Sequence, residues 1–276
     1  MMELPSLRDV VNKYELMAKK SLGQNFLLDQ NITDKIIRLS LEAQRKQDFN
    51  TDAVYEVGPG PGGLTRAILQ ANPKRLTVIE MDARCIQIMR DIQEVVGDRL
   101  HLIEGDALQY DFTADALADK HIISNLPYNI SVPLLTMWLK NIQAYRSLTL
   151  MFQKEVAERI VSEPNCKTYG RISVLAQLTC RVKVLMNLNP SCFTPAPKIW
   201  STVLLFLPQE NTPAPETLRK VEKLTELAFG QRRKMIRQSL KSVPNLEKIC
   251  ADLDIKTTAR AENLTPYQYL QIAQKI

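Results

Sequence analysis

Short apolar segments alternate with longer amphipathic segments between residues 53 and 150. The short segments are rich in β-branched and other apolar residues, which predicts strands at Ala53–Val57, Leu76–Glu80, Leu100–Glu104, His121–Ser124 and Ser147–Phe152. The longer segments carry apolar residues at helical spacing, which predicts helices at Leu64–Gln70, Arg84–Val96 and Val132–Lys140. Alternation of this kind is typical of an α/β sheet with crossover helices.

The pattern changes after the fifth predicted strand. Two further helices are predicted at Lys154–Ser162 and Ile172–Cys180, and two β-rich segments follow at Val182–Leu188 and Ser201–Leu207. These last two segments can pair as an antiparallel hairpin at the edge of the sheet. The loop Asn189–Trp200 would join them.

A second domain is predicted at the C-terminus. Residues 208–215 contain three prolines and are typical of a linker. Residues 216–276 have a helical pattern throughout and no strand signal. We therefore expect a large domain at residues 1–208, which includes an N-terminal segment at residues 1–50, and a small all-α domain at residues 209–276.

Composition and charge narrow the class of protein. Hydrophobic residues make up 45% and charged residues 24% of the 276 residues, as in ordinary soluble globular proteins. The formal net charge of +6 favours a polyanionic partner. The five cysteines lack C-x-x-C spacing and there are only two histidines, so we expect no disulfide framework and no metal site. No long apolar run is present and the N-terminus carries acidic residues, which predicts a cytoplasmic protein without a membrane span or secretory signal.

A glycine-rich loop at residues 58–63 follows the first predicted strand and precedes a predicted helix. Glycine lets a backbone approach a ligand closely, and the N-terminus of the following helix offers free N–H groups. Gly58, Gly60 and Gly63 also satisfy the G-x-G-x-x-G dinucleotide fingerprint. The loop alone therefore leaves open a nucleoside site, a dinucleotide site and a tight turn without a ligand.

Acidic residues stand at the ends of the next two predicted strands. Glu80 ends the second strand, where a carboxylate can accept hydrogen bonds from both ribose hydroxyls of a nucleoside. Asp106 follows the third strand, where it can accept from the exocyclic amine of adenine. Either one alone is more often a solvated surface carboxylate. Their shared position at consecutive strand ends favours a nucleoside site.

The fourth predicted strand ends in Asn125-Leu126-Pro127-Tyr128, a pattern that suits methylation of an aromatic amine. The lone pair of an adenine amino group is delocalised into the ring, so the amine is a weak nucleophile. Two acceptors, the Asn125 side chain and the Leu126 carbonyl, can hold its hydrogens and turn the lone pair toward a methyl group on sulfonium. Pro127 keeps the turn rigid, and Tyr128 can stack on the base. The alternative is a simple strand-to-helix turn, which the position downstream of Glu80 and Asp106 disfavours.

The sequence closely resembles the KsgA/Dim1 family of small-subunit rRNA adenine dimethyltransferases, and the similarity covers nearly the whole chain. The glycine loop is common to many methyltransferases, whereas the segments before residue 30 and after residue 150 are more specific. The segments that carry the resemblance are residues 22–27 (LGQNFL), 56–60 (EVGPG), 125–130 (NLPYNI), 153–156 (QKEV), 169–171 (YGR), 193–198 (FTPAPK) and 231–234 (QRRK).

This resemblance implies a Rossmann-like class I S-adenosylmethionine-dependent methyltransferase with a small C-terminal all-α domain that binds RNA. The substrate would be two adjacent adenosines in a hairpin loop near the 3′ end of small-subunit (16S) rRNA, each dimethylated on its amino nitrogen during ribosome biogenesis. S-adenosyl-L-methionine would be the methyl donor and no metal would be needed. The cofactor contacts implied by the resemblance are Asn25, Leu27, Gly58, Gly60, Glu80, Asp106 and Asn125.

The resemblance also implies that Phe193 lies against the target base opposite Tyr128, beside Asn125, Leu126 and Pro127. Phe193 stands in a stiff, non-helical, proline-rich loop, which is compatible with an exposed ring, and a buried core aromatic is the alternative. The chain departs from its relatives at Trp200, where they usually carry a small or acidic residue. This departure leaves the local packing of that strand open.

Basic residues mark candidate RNA contacts. The segment 231–241 has five basic residues and no acidic residue. Helical periodicity places Phe229, Ile236 and Leu240 on one apolar face, with the basic residues along its flank. A solvated charged face is the alternative to RNA contact. The proposed RNA-binding residues are Lys19, Lys20, Arg232, Arg233, Lys234, Arg237 and Lys241, with Lys154, Arg159 and Arg171 as weaker candidates.

Three other functions remain open from the sequence. An adenine methyltransferase of the antibiotic-resistance type, acting on large-subunit rRNA, would share the glycine loop and the residues 125–128; the segment 193–198 argues against it. A dehydrogenase would give residues 125–128 no role. A non-catalytic RNA-binding assembly or transcription factor would not need intact cofactor residues. We expect a monomer that acts on an adenine in a loop or flipped out of a duplex.

Overall fold

The computed structural model describes residues 4–16, 25–114 and 119–276. By its internal contacts the chain divides into two units. The first contains residues 1–134, 144–154 and 183–206, and the second contains residues 135–143, 155–182 and 207–276. The sequence placed one boundary at residue 208, whereas the chain crosses between the units several times, and residues 155–182 group with the C-terminal helices.

The first unit is built around a seven-stranded sheet. Its strands are β2 (Ala53–Val57), β3 (Arg75–Glu80), β4 (Leu100–Glu104), β5 (Lys120–Ser124), β6 (Ser147–Gln153), β7 (Cys180–Leu188) and β9 (Ser201–Pro208). Their order is β4-β3-β2-β5-β6-β9-β7. Five neighbouring strands pair in parallel, in the order β4, β3, β2, β5 and β6. Strand β9 pairs with β6 antiparallel. The predicted α/β sheet is confirmed, with β9 and β7 as neighbours at its edge.

Burial explains why these segments form strands. Every residue of β2, β5 and of the first six positions of β9 is buried, so these strands have apolar neighbours on both faces. Helices α3 (Gly63–Gln70), α4 (Ala83–Val96) and α5 (Tyr128–Lys140) follow strands β2, β3 and β5. Asp82 caps α4 by accepting a hydrogen bond from the Arg84 N–H at 3.1 Å. Strands β3 and β4 lie on one side of β2, and strands β5 and β6 lie on its other side. Open α/β sheets bind ligands at such a switch point, which here falls between β2 and β5.

The N-terminal segment adds two helices and a short strand to this unit. They are α1 (Leu7–Lys13), β1 (Phe26–Leu27) and α2 (Gln30–Gln44). β1 pairs antiparallel with β8 (Phe193–Thr194), a two-residue strand inside the loop that connects β7 and β9. The loop predicted at residues 189–200 therefore contains a short strand that pairs with the N-terminal segment, besides connecting β7 and β9.

The second unit is helical. Its helices are α6 (Lys154–Ile160), α7 (Arg171–Thr179), α8 (Pro215–Gly230), α9 (Ile236–Ser239), α10 (Leu246–Asp252) and α11 (Pro266–Lys275). The fully buried phenol of Tyr169 donates to the Leu264 carbonyl at 3.0 Å, and that of Tyr269 donates to the Ala261 carbonyl at 2.8 Å. Both hydroxyls thus keep a partner in an apolar core.

The basic segment at residues 231–241 does not form one helix, so the predicted continuous helix is wrong. Helix α8 ends at Gly230, and α9 begins at Ile236 after a stretch of turns. The reason is a backbone pairing: the Ile236 N–H donates to the Ala259 carbonyl at 2.7 Å, and Met235 forms a bridge with Arg260. Ile236 and Leu240 are nevertheless buried, as the apolar periodicity predicted.

Candidate cofactor and nucleobase site

A cleft of about 320 Å³ lies at the carboxyl ends of strands β2, β3 and β5. It is wide enough for a nucleoside with a short attached chain. Ten of the sequence-predicted site residues line it: Asn25, Leu27, Gly58, Gly60, Glu80, Asp106, Asn125, Leu126, Pro127 and Tyr128. The structure thus brings together residues that lie more than a hundred positions apart in the chain, from Asn25 to Tyr128.

The glycine loop forms the floor of the cleft, and its glycines are required by the backbone. Gly58 has φ +65° and its N–H donates to the Ile79 carbonyl at 2.9 Å, which ties the loop to strand β3. A Cβ at Gly63 would lie 2.4 Å from the Leu27 carbonyl oxygen. The first turn of α3 therefore packs directly against the backbone of β1, and only glycine allows that approach.

Glu80 lies at the end of β3 and is almost completely buried. Its Oε1 accepts the N–H groups of Met81 at 2.8 Å and Asp82 at 2.9 Å, while Oε2 has only a long contact of 3.4 Å with the Gly60 N–H. Burial raises the pKa of the Glu80 carboxyl, and these N–H groups act against that rise. Oε2 is the oxygen with capacity left for ribose hydroxyls.

Asp106 closes the side of the cleft after β4. Its Oδ1 accepts the Leu108 N–H at 2.9 Å, a local turn that fixes the carboxylate. Asp106 and Leu108 both line the cleft. Asp106 keeps a second oxygen, and its contact with an exocyclic amine stays a prediction.

Glu56 is a functional candidate that sequence reasoning missed. It is buried in β2, lines the cleft, and its Oε2 accepts the Thr65 hydroxyl at 2.7 Å. Burial raises the pKa of the Glu56 carboxyl to about 8; the Thr65 hydrogen bond opposes this rise, and the neighbouring Glu80 carboxylate adds a smaller contribution to it. A glutamate inside an otherwise apolar strand, directly before the glycine loop, is the signal that would have identified it.

Asn125 has its side chain oriented by a long-range hydrogen bond. Its Nδ2 donates to the backbone carbonyl of Asn25 at 3.1 Å. Because the amide nitrogen is engaged there, Oδ1 is the atom left to accept from a substrate. Oδ1 accepts no hydrogen bond from any residue that the structure describes. Leu126, next in the chain, contributes to the wall of the cleft.

Tyr128 begins helix α5 and lines the same cleft. Its hydroxyl is hydrogen-bonded to the Ser201 hydroxyl at 2.9 Å. Burial raises the pKa of the Tyr128 phenol, and the Ser201 hydrogen bond opposes this rise. The Tyr128 side chain is therefore fixed at both ends: its backbone belongs to α5, and its hydroxyl is bonded to Ser201 of β9. A ring fixed in this way is suited to stack on a base.

Phe193 is buried, the alternative to an exposed ring in its proline-rich loop. It is 4% exposed, packs in the core of the first unit, and does not line the cleft. The reason is the pairing of β8 with β1, which places Phe193 opposite Leu27 in the register. Of the two alternatives for the ring, the buried one is correct, and contact of Phe193 with the target base stays a prediction.

The predicted RNA-binding residues divide into two groups. Arg232 is ion-paired with Glu262 at 2.8 Å and donates to the Cys166 carbonyl, so it is committed to the helical unit itself. The others in this segment are exposed and form no ion pair with any described residue: Arg233, Lys234, Arg237 and Lys241. Of the weaker candidates, Lys154 and Arg159 are exposed, and Arg171 pairs with Glu226 at 3.7 Å. Lys19 and Lys20 lie outside the described residues.

Metal-binding clusters and membrane-spanning helices are both absent from the part of the chain that the structure describes. Among residues 4–16, 25–114 and 119–276, no group of three or more His, Cys, Asp and Glu side chains is placed to hold a metal ion. No helix in those ranges has the length and apolar character needed to cross a membrane.

The sheet order, the glycine loop after β2 and the nucleoside-sized cleft define a class I S-adenosylmethionine-dependent methyltransferase. The chain belongs to the ribosomal RNA adenine dimethylase family, whose model matches residues 15–276. It is 44% identical to the ribosomal RNA small subunit methyltransferase A of Rhodospirillum rubrum over 273 residues, which cover 99% of this chain and 93% of that protein. The predicted family, fold class and enzyme class are confirmed.

Solved structures agree with this assignment. A dimethyladenosine transferase from Plasmodium falciparum superposes with a TM-score of 0.71 at 25% identity, covering 88% of this chain and 94% of that chain. The 23S rRNA methyltransferase ErmE superposes with a TM-score of 0.65 at 20% identity, covering 91% and 99% respectively. The second likeness is a likeness of fold alone.

Proposed function

We propose that this chain transfers methyl groups from S-adenosyl-L-methionine to the amino nitrogens of two adjacent adenosines in the 3′-terminal hairpin loop of 16S rRNA. The observation that carries the proposal is the fixed Asn125 amide, whose oxygen is left to accept a hydrogen bond in a cleft shared with Glu80 and Asp106. The small-subunit name of the 44% identical relative supports the small subunit over the large one.

The residues present fit the methyl donor. Oε2 of Glu80 is available for ribose hydroxyls, and Asp106 for the adenine amine, while the backbone of the glycine loop allows close approach. Asn25 and Leu27 line the cleft from the other side. When bound, the donor supplies an electrophilic methyl group on a sulfonium sulfur.

The chain then contributes alignment. Asn125 Oδ1 and the Leu126 carbonyl accept the two hydrogens of the target amine, which turns the nitrogen lone pair toward the methyl carbon. Tyr128 stacks on the base and keeps its plane fixed. Held in this way, the amine nitrogen would face the donor's methyl group, and after transfer the cationic amine would lose its proton to water. No strong base is needed, so positioning accounts for most of the rate.

The substrate is RNA, and the exposed basic residues of the helical unit suit its phosphates. Arg233, Lys234, Arg237 and Lys241 are the proposed contacts, joined by Lys19 and Lys20. We further infer a monomeric enzyme of the cytoplasm, where bacterial small subunits are assembled. Residues 1–208 would serve methyl transfer and residues 209–276 RNA binding.

The decisive experiment is mass spectrometry of small-subunit rRNA from cells that lack this protein. We expect loss of dimethyladenosine at two adjacent positions near the 3′ end, and its return on expression of the wild-type chain but not of Asn125→Ala. Purified protein should methylate undermethylated small subunits and leave large subunits unmodified. Methylation of large subunits instead would assign the enzyme to the other rRNA.

A further inference from the structure

Trp200 immediately precedes β9 and has an exposed aromatic side chain. Its side chain is 46% exposed and the adjacent Ile199 is 36% exposed. The other tryptophan of the chain, Trp138, is completely buried. Adjacent exposed apolar side chains, unlike single ones, can mark a surface that contacts a ligand or partner.

The backbone places Trp200 near Tyr128, which lines the cleft, although Trp200 itself does not line it. The Trp200 carbonyl accepts the Lys154 N–H at 2.8 Å, immediately beyond the last residue pair of β6 and β9. Ser201, the next residue, is hydrogen-bonded to the Tyr128 hydroxyl. Trp200 therefore lies one residue from the group that holds the stacking surface for the target base, at the same sheet edge as the cleft.

The surroundings of Trp200 favour RNA as its partner. Lys198 is exposed two residues away and forms no ion pair with any described residue, so the patch combines an indole with a cation. Single-stranded nucleic acids bind to such combinations, because bases stack on the ring while the cation attracts phosphate. A target base in the cleft must leave its stack, which also leaves its neighbour in the strand unstacked.

We propose that Trp200 stacks on the nucleobase next to the target adenosine, and that Lys198 contacts the phosphate of the same strand. This rests on the proposed function, because it needs an RNA base at Tyr128. While one of the two adjacent adenosines is methylated in the cleft, the other is held outside it on Trp200. Trp200 acts as a positioning residue for the RNA and does not touch the methyl donor.

Intrinsic fluorescence tests this directly, because Trp200 is the exposed one of two tryptophans. A synthetic RNA hairpin with two adjacent adenosines in its loop, added to the full chain, should quench the emission. Trp200→Phe should abolish the quenching, since only Trp138 then remains. Equal quenching in the wild type and Trp200→Phe would overturn the proposal.

Kinetics with undermethylated small subunits give the second readout. Trp200→Ala should raise KM about tenfold with kcat within about twofold, in line with the loss of one base stack, and Trp200→Phe should recover most of the loss. Val95→Ala, which removes an exposed apolar side chain from α4 outside the cleft and outside the proposed RNA-binding segment, is the control and should leave KM unchanged. Both alanine variants should melt at the wild-type temperature, which excludes a folding defect.

The outcomes separate the two proposals. Wild-type methylation with an unchanged KM for Trp200→Ala would remove the role of Trp200 and leave the function intact. Absence of methylation by the wild type would remove the function itself. A raised KM on the particle, without any quenching by the hairpin RNA, would mean that Trp200 contacts a ribosomal protein, and would also overturn the stacking proposal.

Discussion

The side-chain amide of Asn125 donates to the backbone carbonyl of Asn25 across a distance of 3.1 Å. The bond connects the end of β5 to the segment that precedes β1, a hundred positions earlier in the chain. It fixes which atom of the amide faces the cleft, since the nitrogen is occupied and the oxygen is left to accept. The orientation of the proposed methyl acceptor therefore depends on the N-terminal segment as well as on residues 125–128.

Replacing Asn125 by alanine should reduce kcat/KM for rRNA methylation by at least about 100-fold, because the amine loses an acceptor that aligns it. RNA affinity should change little, since the phosphate contacts lie elsewhere. Filter binding and a methyl-incorporation assay measure the two effects. Asn141→Ala, at an exposed position after α5, is the control and should behave as wild type. Near-normal turnover by Asn125→Ala would refute the alignment mechanism.

Gly63 and Gly230 provide a matched pair for the close packing of the glycine loop. A Cβ at Gly63 would lie 2.4 Å from the Leu27 carbonyl, whereas a Cβ at Gly230 meets nothing within 4 Å. Gly63→Ala should lower the free energy of unfolding by about 1–3 kcal/mol, because the backbone of β1 must shift. It should also weaken binding of S-adenosylmethionine.

Gly230→Ala should be neutral or slightly stabilising, since alanine costs less than glycine in a helix. Urea unfolding and calorimetric titration with S-adenosylmethionine measure stability and affinity for both variants. If the two alanine variants had equal free energies of unfolding, the backbone of β1 would have moved away from the added Cβ without loss of stability. The packing of α3 against Leu27 would then not constrain the cleft.

Local relationships in the site could be predicted from the sequence, and long-range ones could not. The strand ends that carry Glu80, Asp106 and Asn125 could be predicted because each follows its own apolar run, and parallel strands place such ends along one edge. The burial of Phe193 could not, because it depends on the pairing of β8 with β1, which lie far apart in sequence. The break in the basic segment likewise depends on a distant backbone hydrogen bond, from Ile236 to Ala259.

Glu56 should make the binding of S-adenosylmethionine depend on pH. Its pKa is raised to about 8 by burial, so the side chain is mostly neutral below that pH and an anion above it. An anion in the cleft attracts the sulfonium charge. Affinity should therefore rise about three- to tenfold between about pH 7 and pH 9, a difference of about 1 kcal/mol for a charge pair partly shielded from water.

Glu56→Gln separates this effect from titration of the ligand itself, because glutamine stays neutral at every pH. The ratio of wild-type to variant affinity, from calorimetry at several pH values, should increase as pH rises through 8. A constant ratio over this range would mean that the Glu56 charge does not reach the sulfonium. Thermal melting of both proteins at each pH checks that the variant stays folded.

The basic residues at 231–241 should contribute unequally to RNA binding. Arg233, Lys234, Arg237 and Lys241 are exposed without an ion-pair partner among the described residues, so their replacement by alanine should weaken RNA binding uniformly across sequences. For single-stranded RNA, removal of one phosphate-binding cation should reduce the slope of log K against log salt by about 0.7. The fourfold variant should thus reduce the slope by about 2 to 3, measured by filter binding at several salt concentrations.

Arg232 serves as the contrasting position, because its guanidinium pairs with Glu262 within the helical unit. Arg232→Ala should lower the melting temperature and leave the salt slope almost unchanged, and Glu262→Gln should reproduce the loss of stability, since it removes the other half of the same pair. If Arg232→Ala instead changed the slope by as much as Arg233→Ala, the guanidinium would exchange Glu262 for phosphate on binding. The division of this segment into a structural arginine and four RNA-contacting cations would then be incorrect.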